Sequence, residues 1–374
     1  MIVTVSTVKD NLDNVQRFVR GNLAGGVDHM IVFLDAPARD VEAWLATVEH
    51  VTCIVTDKSW WQGERPPLLN RRQRVNANLA RAALSIADWA EWIFHIDADE
   101  VAQIDRAALA AVPADRPAVR LQPREVVSEL EPAGVPMRFK RLLEDDELQL
   151  LVTLGLLAEP TNSLFFRSHI AGKVGVRPCL DLALKFHSAT DDTGVNIPTV
   201  NDPAFTLLHY ESYSGDEFVR KWTNMVTSGP SIHFGAHRMK IATALKVLVT
   251  SDLPAPVKEK YLTQIYREHM EDPIEVLGDL GFLVDVDPLQ GTHRPAPLPT
   301  GAREQLDTVL GAMRDLPKRH YLHERASIPE VTRTLTQIVP GSTPRLHAST
   351  GWVAPSKQAQ ADAGLRGRLR RRTR

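Results

Sequence analysis

Cysteine is almost absent: Cys53 and Cys179 are the only two in 374 residues. Two such residues build no disulfide framework, and a reducing compartment is the default. No apolar run approaches the roughly 18 residues of a membrane-spanning helix. The opening MIVTVSTVKDN carries no basic leader and no long apolar stretch, so no signal peptide is expected and the cytoplasm is the expected location. Net charge is nearly absent too, because 44 Lys+Arg face 46 Asp+Glu for a formal −2. That balance lacks the basic excess of a nucleic-acid binder, and no nucleic-acid partner is expected. No G-x-G-x-x-G and no G-x-x-x-x-G-K-[ST] follows the first apolar run, so dinucleotide and P-loop readings lose their best evidence.

What is there begins as an alternation. Short apolar runs at 2–7, 29–34, 51–56 and 92–96 read as strands, and segments at 12–23, 41–48 and 68–87 read as helices. Gly25-Gly26 stops the first helix. Strands of this length separated by helices imply right-handed βαβ units, an α/β fold and a mostly parallel, Rossmann-like sheet. From about 118 to 210 the pattern turns irregular, with short β-like runs at 118–121, 163–166 and 205–210. Helical periodicity returns at 215–226, 236–248, 257–269 and 302–316, and the Pro-rich stretch 285–300 reads as a linker. The expected organisation is a catalytic domain over 1–225, a helical extension over 226–340 and a disordered tail over 341–374. The last ten residues, LRGRLRRRTR, hold six Arg and no acid; the rest of the chain has 38 basic against 46 acidic side chains, a charge of −8. Such a tail is either a solvated end or an electrostatic attachment to anionic lipid, which would place the protein peripherally at the inner face of a membrane.

The sharpest chemical signal is Trp92-Ile-Phe-His-Ile-Asp97-Ala98-Asp99-Glu100. A buried strand delivers two carboxylates at its C-terminal end, where open α/β sheets bind ligands. If the segment stays extended, Asp97 and Asp99 point to one side and can approach one hard cation, Mn2+ or Mg2+. Such a cation would neutralise a diphosphate on binding and on departure. The competing reading is an acidic turn before the helix at Asp105. A phosphatase of the haloacid-dehalogenase type would carry its Asp-x-Asp near the start of its core, not after three βα units.

In order and spacing, these residues resemble a known family. The chain is similar to glycosyltransferases of the GT-A fold, in the broad family 2 superfamily and especially its family-2-like and family-92-like branch. Thr7-Val8-Lys9-Asp10-Asn11 resembles a Lys-Asn-Glu turn, with Asp-Asn in place of Asn-Glu; Gly26-Val27-Asp28 matches a Gly-Val-Asp. Arg72-Gln73 with Asn76 resembles the helix before the Asp-x-Asp strand. Lys173 and Arg177-Pro178 resemble a Lys…Arg-Pro segment, and Leu208-His209-Tyr210 with Phe218 and Lys221 a His-Tyr…Phe…Lys signature. The resemblance covers about residues 2–225.

It implies a metal-dependent, inverting transfer of a sugar from a nucleotide-diphosphate donor, a UDP-sugar being favoured, to a carbohydrate or lipid-linked hydroxyl. Thr7, Lys9, Asp35, Asp57, Arg72 and Gln73 become candidate donor contacts. Lys173 and Arg177 would stabilise the departing diphosphate, and His209, with His187 behind it, would complete the metal shell of Asp97 and Asp99. Asp191 or Asp192, in a Gly-containing loop, is the candidate base for the acceptor hydroxyl, with Glu211 and Asp216 as alternatives. Trp60-Trp61 would form either a sugar platform or part of the core. Two other functions compete: a nucleotidyltransferase, which would show a Gly-rich basic loop after the first strand, and a non-catalytic scaffold, against which the intact Asp97 and Asp99 speak.

Overall fold

The computed structural model describes residues 1–180, 182–191, 194–227, 236–318, 335, 337 and 339. The first part alternates as its sequence implies: β1 (Ile2–Val8), α1 (Leu12–Ala24), β2 (His29–Leu34), α2 (Arg39–Leu45), β3 (Val51–Val55), α3 (Lys58–Trp61), α4 (Leu69–Leu84) and β4 (Trp92–His95). There follow β5 (Glu100–Ile104), α5 (Arg106–Ala110), β6 (Ala118–Val126), β7 (Arg138–Lys140), α6 (Asp145–Thr153), α7 (Asn162–Phe165), β8 (Lys173–Val176), β9 (Ala183–Leu184), β10 (Ala189–Thr190) and β11 (Val200–His209). The chain continues through α8 (Gly215–Thr227), α9 (Ala236–Thr250), α10 (Ala255–His269), α11 (Ile274–Asp279), β12 (Leu283–Asp285) and α12 (Ala302–Met313).

One mixed sheet organises the molecule, in the order β12-β7-β6-β8-β4-β1-β2-β3, with β11 joined to both β5 and β6. β4, β1, β2 and β3 run parallel. β8 is antiparallel to β4 and β6, and β7 to β6. Period-two alternation divides the apolar side chains between two faces. Val3, Val5, Ile31, Phe33 and Ile93 pack with Val75 and Leu79 of α4 and with Leu306 and Leu310 of α12. Met30, Val32, Leu34, Trp92 and Phe94 pack with Val15 and Phe18 of α1 and Val41 of α2. Asn11 starts α1 by accepting from the Asn14 N–H at 2.9 Å. Gly26 adopts φ +112°, and a Cβ there would lie 2.6 Å from the Ile104 carbonyl oxygen; only glycine lets α1 close onto β5.

Three expectations change. Residues 163–165 of the run 163–166 are helix, not strand, because Thr161 caps α7 by accepting from Ser163 N–H. Position 225 is no boundary of packing: β12 pairs with β7, and α12 shares the core of α4. The Pro-rich stretch is pinned, since Nε2 of His293 lies 3.1 Å from buried Asp28. The basic tail lies outside the described residues. Among the described residues no helix is long and apolar enough to cross a membrane.

Candidate functional site

The parallel strands end at one edge. Lys9, Asp35, Asp57 and Asp97 follow their last residues there. The carboxylates differ sharply in what holds them. Asp35 is buried and clamped by Arg72, whose Nε and Nη2 reach its two oxygens at 2.6 and 2.8 Å, with Arg65 at 3.1 Å. Asp57 caps α3, accepting from Ser59 Oγ at 2.7 Å and from Trp60 N–H at 3.0 Å. These two donors depress its pKa. Lys9 is exposed, and the Thr7 hydroxyl accepts from Asn76 Nδ2 at 2.9 Å. Trp60 and Trp61 are fully buried, Trp60 against Phe33, so they form core and no platform.

Asp97 and Asp99 do not point together. The segment after β4 is a turn rather than extended chain, closed by Glu100 N–H on the Asp97 carbonyl at 3.1 Å and by Asp97 N–H on Glu100 Oε2 at 2.7 Å. Asp97 therefore faces α4 and β8, accepting from Gln73 Nε2 at 2.7 Å and Lys173 Nζ at 2.6 Å. Asp99 faces β11 and α8, with Lys221 Nζ at 2.5 Å and His209 Nε2 at 3.6 Å. Glu211 joins that side, 3.1 Å from Lys221 and 3.9 Å from His209. Glu100 lies between the two sides, fully buried, with His169 Nε2 at 3.0 Å and Lys173 at 3.6 Å.

The electrostatics follow from this crowding. Burial alone would lower the pKa of His209; the charges of Asp99, Glu100 and Glu211 outweigh it and raise it to about 9. Burial would raise Asp99, yet Lys221 and His209 hold it well below the usual carboxylate range. Glu100 is likewise depressed, its burial offset chiefly by Lys173 and His169. His187 goes the other way, lowered to about 4 by burial and by His169, and its Nδ1 lies 2.8 Å from the Gly172 carbonyl oxygen. Four carboxylates (Asp97, Asp99, Glu100, Glu211) face two ammoniums (Lys173, Lys221), an excess of two negative charges. The His209 proton offsets half of it. A divalent cation would displace that proton and offset all of it.

The donors suit such an ion. One oxygen each of Asp99 and Glu211 and one nitrogen of His209 lie within 4.8 Å of one another; so do the corresponding atoms of Glu100, His169 and His209. Asp97 belongs to neither set, and the expected pairing of Asp97 with Asp99 on one ion is replaced by this arrangement. Lys221, a quarter exposed, is the more accessible of the two ammoniums at these carboxylates; Lys173 is fully buried.

The remaining candidates separate. Arg177 is not at the site: β8 is antiparallel to β4, so Arg177 comes beside Trp92 at the opposite strand end, 4.3 Å over its ring and 3.2 Å from Glu91. Asp191 is buried and holds its own loop, its Oδ1 accepting from Val195 N–H at 2.9 Å. Asp192 lies outside the described residues, and Asp216 is exposed.

Sequence reasoning assigned no role to Glu100 or Lys221 and missed Ser168 and His169. These last two are fixed from below. Glu125 accepts from the N–H groups of Arg167 and Ser168, both at 2.7 Å, and pairs with Lys140 at 2.8 Å. Lys140 also reaches Asp272 at 3.0 Å, and Asp272 in turn accepts from Ser128 N–H at 2.9 Å. Ser168 Oγ lies 3.0 Å from His209 Nδ1, which turns Nε2 towards Asp99. The charges of this support stand beside other charges in the sequence, as in Arg124-Glu125, Lys140-Arg141 and Glu271-Asp272, with no motif to single them out.

No protein-family model matches this chain, and no curated protein matches it.

Proposed function

We propose that the chain is a metal-dependent glycosyltransferase that takes its sugar from a nucleotide-diphosphate donor and passes it to a carbohydrate or lipid-linked hydroxyl. One observation carries the reading: at the carboxyl edge of the parallel strands, carboxylates and two lysines interleave with an excess of negative charge fitting one divalent cation. His209, shared by the two donor sets, would hold that ion, Mn2+ or Mg2+, with carboxylates from Asp99, Glu211 and Glu100 around it. Bound there, it would neutralise the diphosphate oxygens as the glycosidic bond breaks.

The chain's own residues supply the rest. Lys173 and Lys221 are the cations nearest these carboxylates and would turn towards incoming phosphate oxygens. Gln73 and Lys173 fix Asp97, and the buried Arg72–Asp35 clamp holds the second strand's end rigid beside it. The test is hydrolysis and binding across UDP-, GDP-, CMP- and dTDP-sugars with Mn2+. Wild type should turn over at least one donor, and Asp99→Asn should lower metal-dependent turnover roughly a hundredfold. A wild-type protein inert to every donor, in binding as in hydrolysis, would remove the reading.

A further inference from the structure

The second donor set, Glu100, His169 and His209, has a chemistry that the first lacks: two imidazoles to one carboxylate. We infer that this set holds the ion and makes the carboxyl edge a site for a borderline transition cation, such as Co2+, Zn2+ or Mn2+, rather than Mg2+. The inference rests on reading that edge as a divalent-metal site, and it names the ligands and the class of ion. Imidazole nitrogen suits this class, whereas Mg2+ demands oxygen ligands.

Geometry supports the assignment. His169 Nε2 and Glu100 Oε1 are 3.0 Å apart. Ligands each about 2.1 Å from one ion stand about 3.0 Å apart at right angles and about 3.4 Å apart in a tetrahedron, so the pair is close enough to share one. His209 is common to both sets, with Asp99 at 3.6 Å and Glu211 at 3.9 Å, and the donor atoms of Glu100, His169 and His209 lie within 4.8 Å of one another. His169 and His209 stack with ring centroids 5.0 Å apart, and His187 stands 4.3 Å from His169 on its far side. The supports are those of a prepared site. Ser168 takes up the second nitrogen of His209. Glu125, itself paired with buried Lys140, holds the two N–H groups just before His169. The turn's Asp97 N–H fixes the other oxygen of Glu100. Three segments far apart in sequence thus bring one carboxylate and two imidazoles within 4.8 Å of one another. Lys173 stands 3.6 Å from Glu100 and disfavours a cation there; its stronger partner at 2.6 Å is Asp97, which draws the ammonium away.

The experiment uses the full chain, stripped with chelator and titrated with Co2+, Zn2+, Mn2+ or Mg2+ alone, without nucleotide sugar. One Co2+ or Zn2+ per chain should bind well above Mg2+ in affinity, and bound Co2+ should show the visible absorption of a nitrogen-ligated ion. His169→Gln should weaken Co2+ and Zn2+ binding roughly 10–100-fold and alter that spectrum. Its thermal unfolding without metal is checked in parallel, because His169 also partners buried Glu100, and Gln keeps an N–H to donate to it. Glu100→Gln should do likewise, with its unfolding checked in parallel. Wild-type Co2+ affinity and spectrum in His169→Gln, or Mg2+ bound as tightly as Co2+, would overturn the inference. The transferase reading fails separately: a protein that binds Co2+ through His169 but turns over no nucleotide sugar keeps this site and loses that function.

Discussion

The two sides of β4 are built from different materials. On one side, β1, β2 and β3 are buried along nearly their whole length and packed by Ile, Val and Phe between two helical layers. On the other, the interior holds Glu100, Glu125, Lys140, Lys173, His209 and Asp272, none more than 7% exposed. Apolar burial is non-directional and tolerant of detail. A buried ion network is the reverse: it contributes little net stability, but each member fixes the others in place. The parallel side is a platform, and the mixed side aims side chains.

The largest effect that tests this division comes from matched losses on the two sides. Phe33→Ala opens the apolar layer beside Trp60 and should cost about 3–5 kcal/mol. Lys140→Ala leaves Glu125 without its ammonium and Asp272 with the more distant Arg167, at 3.5 Å, and should cost about the same. Denaturant titration should hardly distinguish them. Metal binding should: Lys140→Ala frees the loop bearing Ser168 and His169 and should weaken Co2+ binding roughly tenfold or more, whereas folded Phe33→Ala should bind as wild type. Equal metal affinity in the two variants would dissolve the division.

The same contrast decides how much the sequence could reveal. Parallel strands buried on both faces appear as short runs rich in Val, Ile and Phe, and β1 to β4 were legible within a residue or two. The carboxyl edge followed from topology, and with it the place of Asp35 and Asp97. Past β4, strands of two to four residues such as β7, β8 and β9 form through partners far along the chain, and no local periodicity announces them. The turn at Asp97–Glu100 was hidden for a similar reason: a Glu side chain folding back onto the Asp97 N–H converts an extended segment into a bend and parts the two aspartates. His169 sits in a loop with no motif, placed by a Glu more than forty residues away.

A smaller effect is the pH dependence, which should have opposite signs on the two sides. His29, at the start of β2, is held neutral down to about pH 3, first by burial and then by Arg303; its Nε2 lies 2.9 Å from Thr52 Oγ1. The unfolded chain protonates it near pH 6.5. Its contribution is therefore present above about pH 6.5 and lost as pH falls towards 3, by at most about 1.4 kcal/mol per pH unit. For His209 the folded pKa is raised, so its contribution is complete below about pH 6.5 and lost as pH rises through about 9. In metal-free protein, His29→Asn should flatten the acid limb of a stability–pH curve and His209→Gln the alkaline limb. Limbs that keep their slopes in these variants would show that other groups set them.

The smallest effect separates two cations that the sequence placed together. Lys173 and Arg177 lie at opposite ends of β8, and the antiparallel pairing with β4 turns a four-residue spacing into the full length of the strand. Lys173 reaches Asp97 at the carboxyl edge; Arg177 spreads over Trp92, pairs with half-exposed Glu91 and donates to the Val112 carbonyl at 3.1 Å. Arg177→Ala removes one cation–π contact, one largely solvated ion pair and one hydrogen bond, which together should cost about 1–2 kcal/mol. It should leave the affinity for Co2+ and for UDP unchanged, because nothing it touches belongs to the turn after β4. Lys173→Ala should instead weaken UDP binding roughly tenfold by removing the buried ammonium nearest the site. Calorimetric titration of UDP into both variants reads the difference directly. Comparable losses would mean that the diphosphate reaches the far end of β8, and the carboxyl edge would no longer define the site.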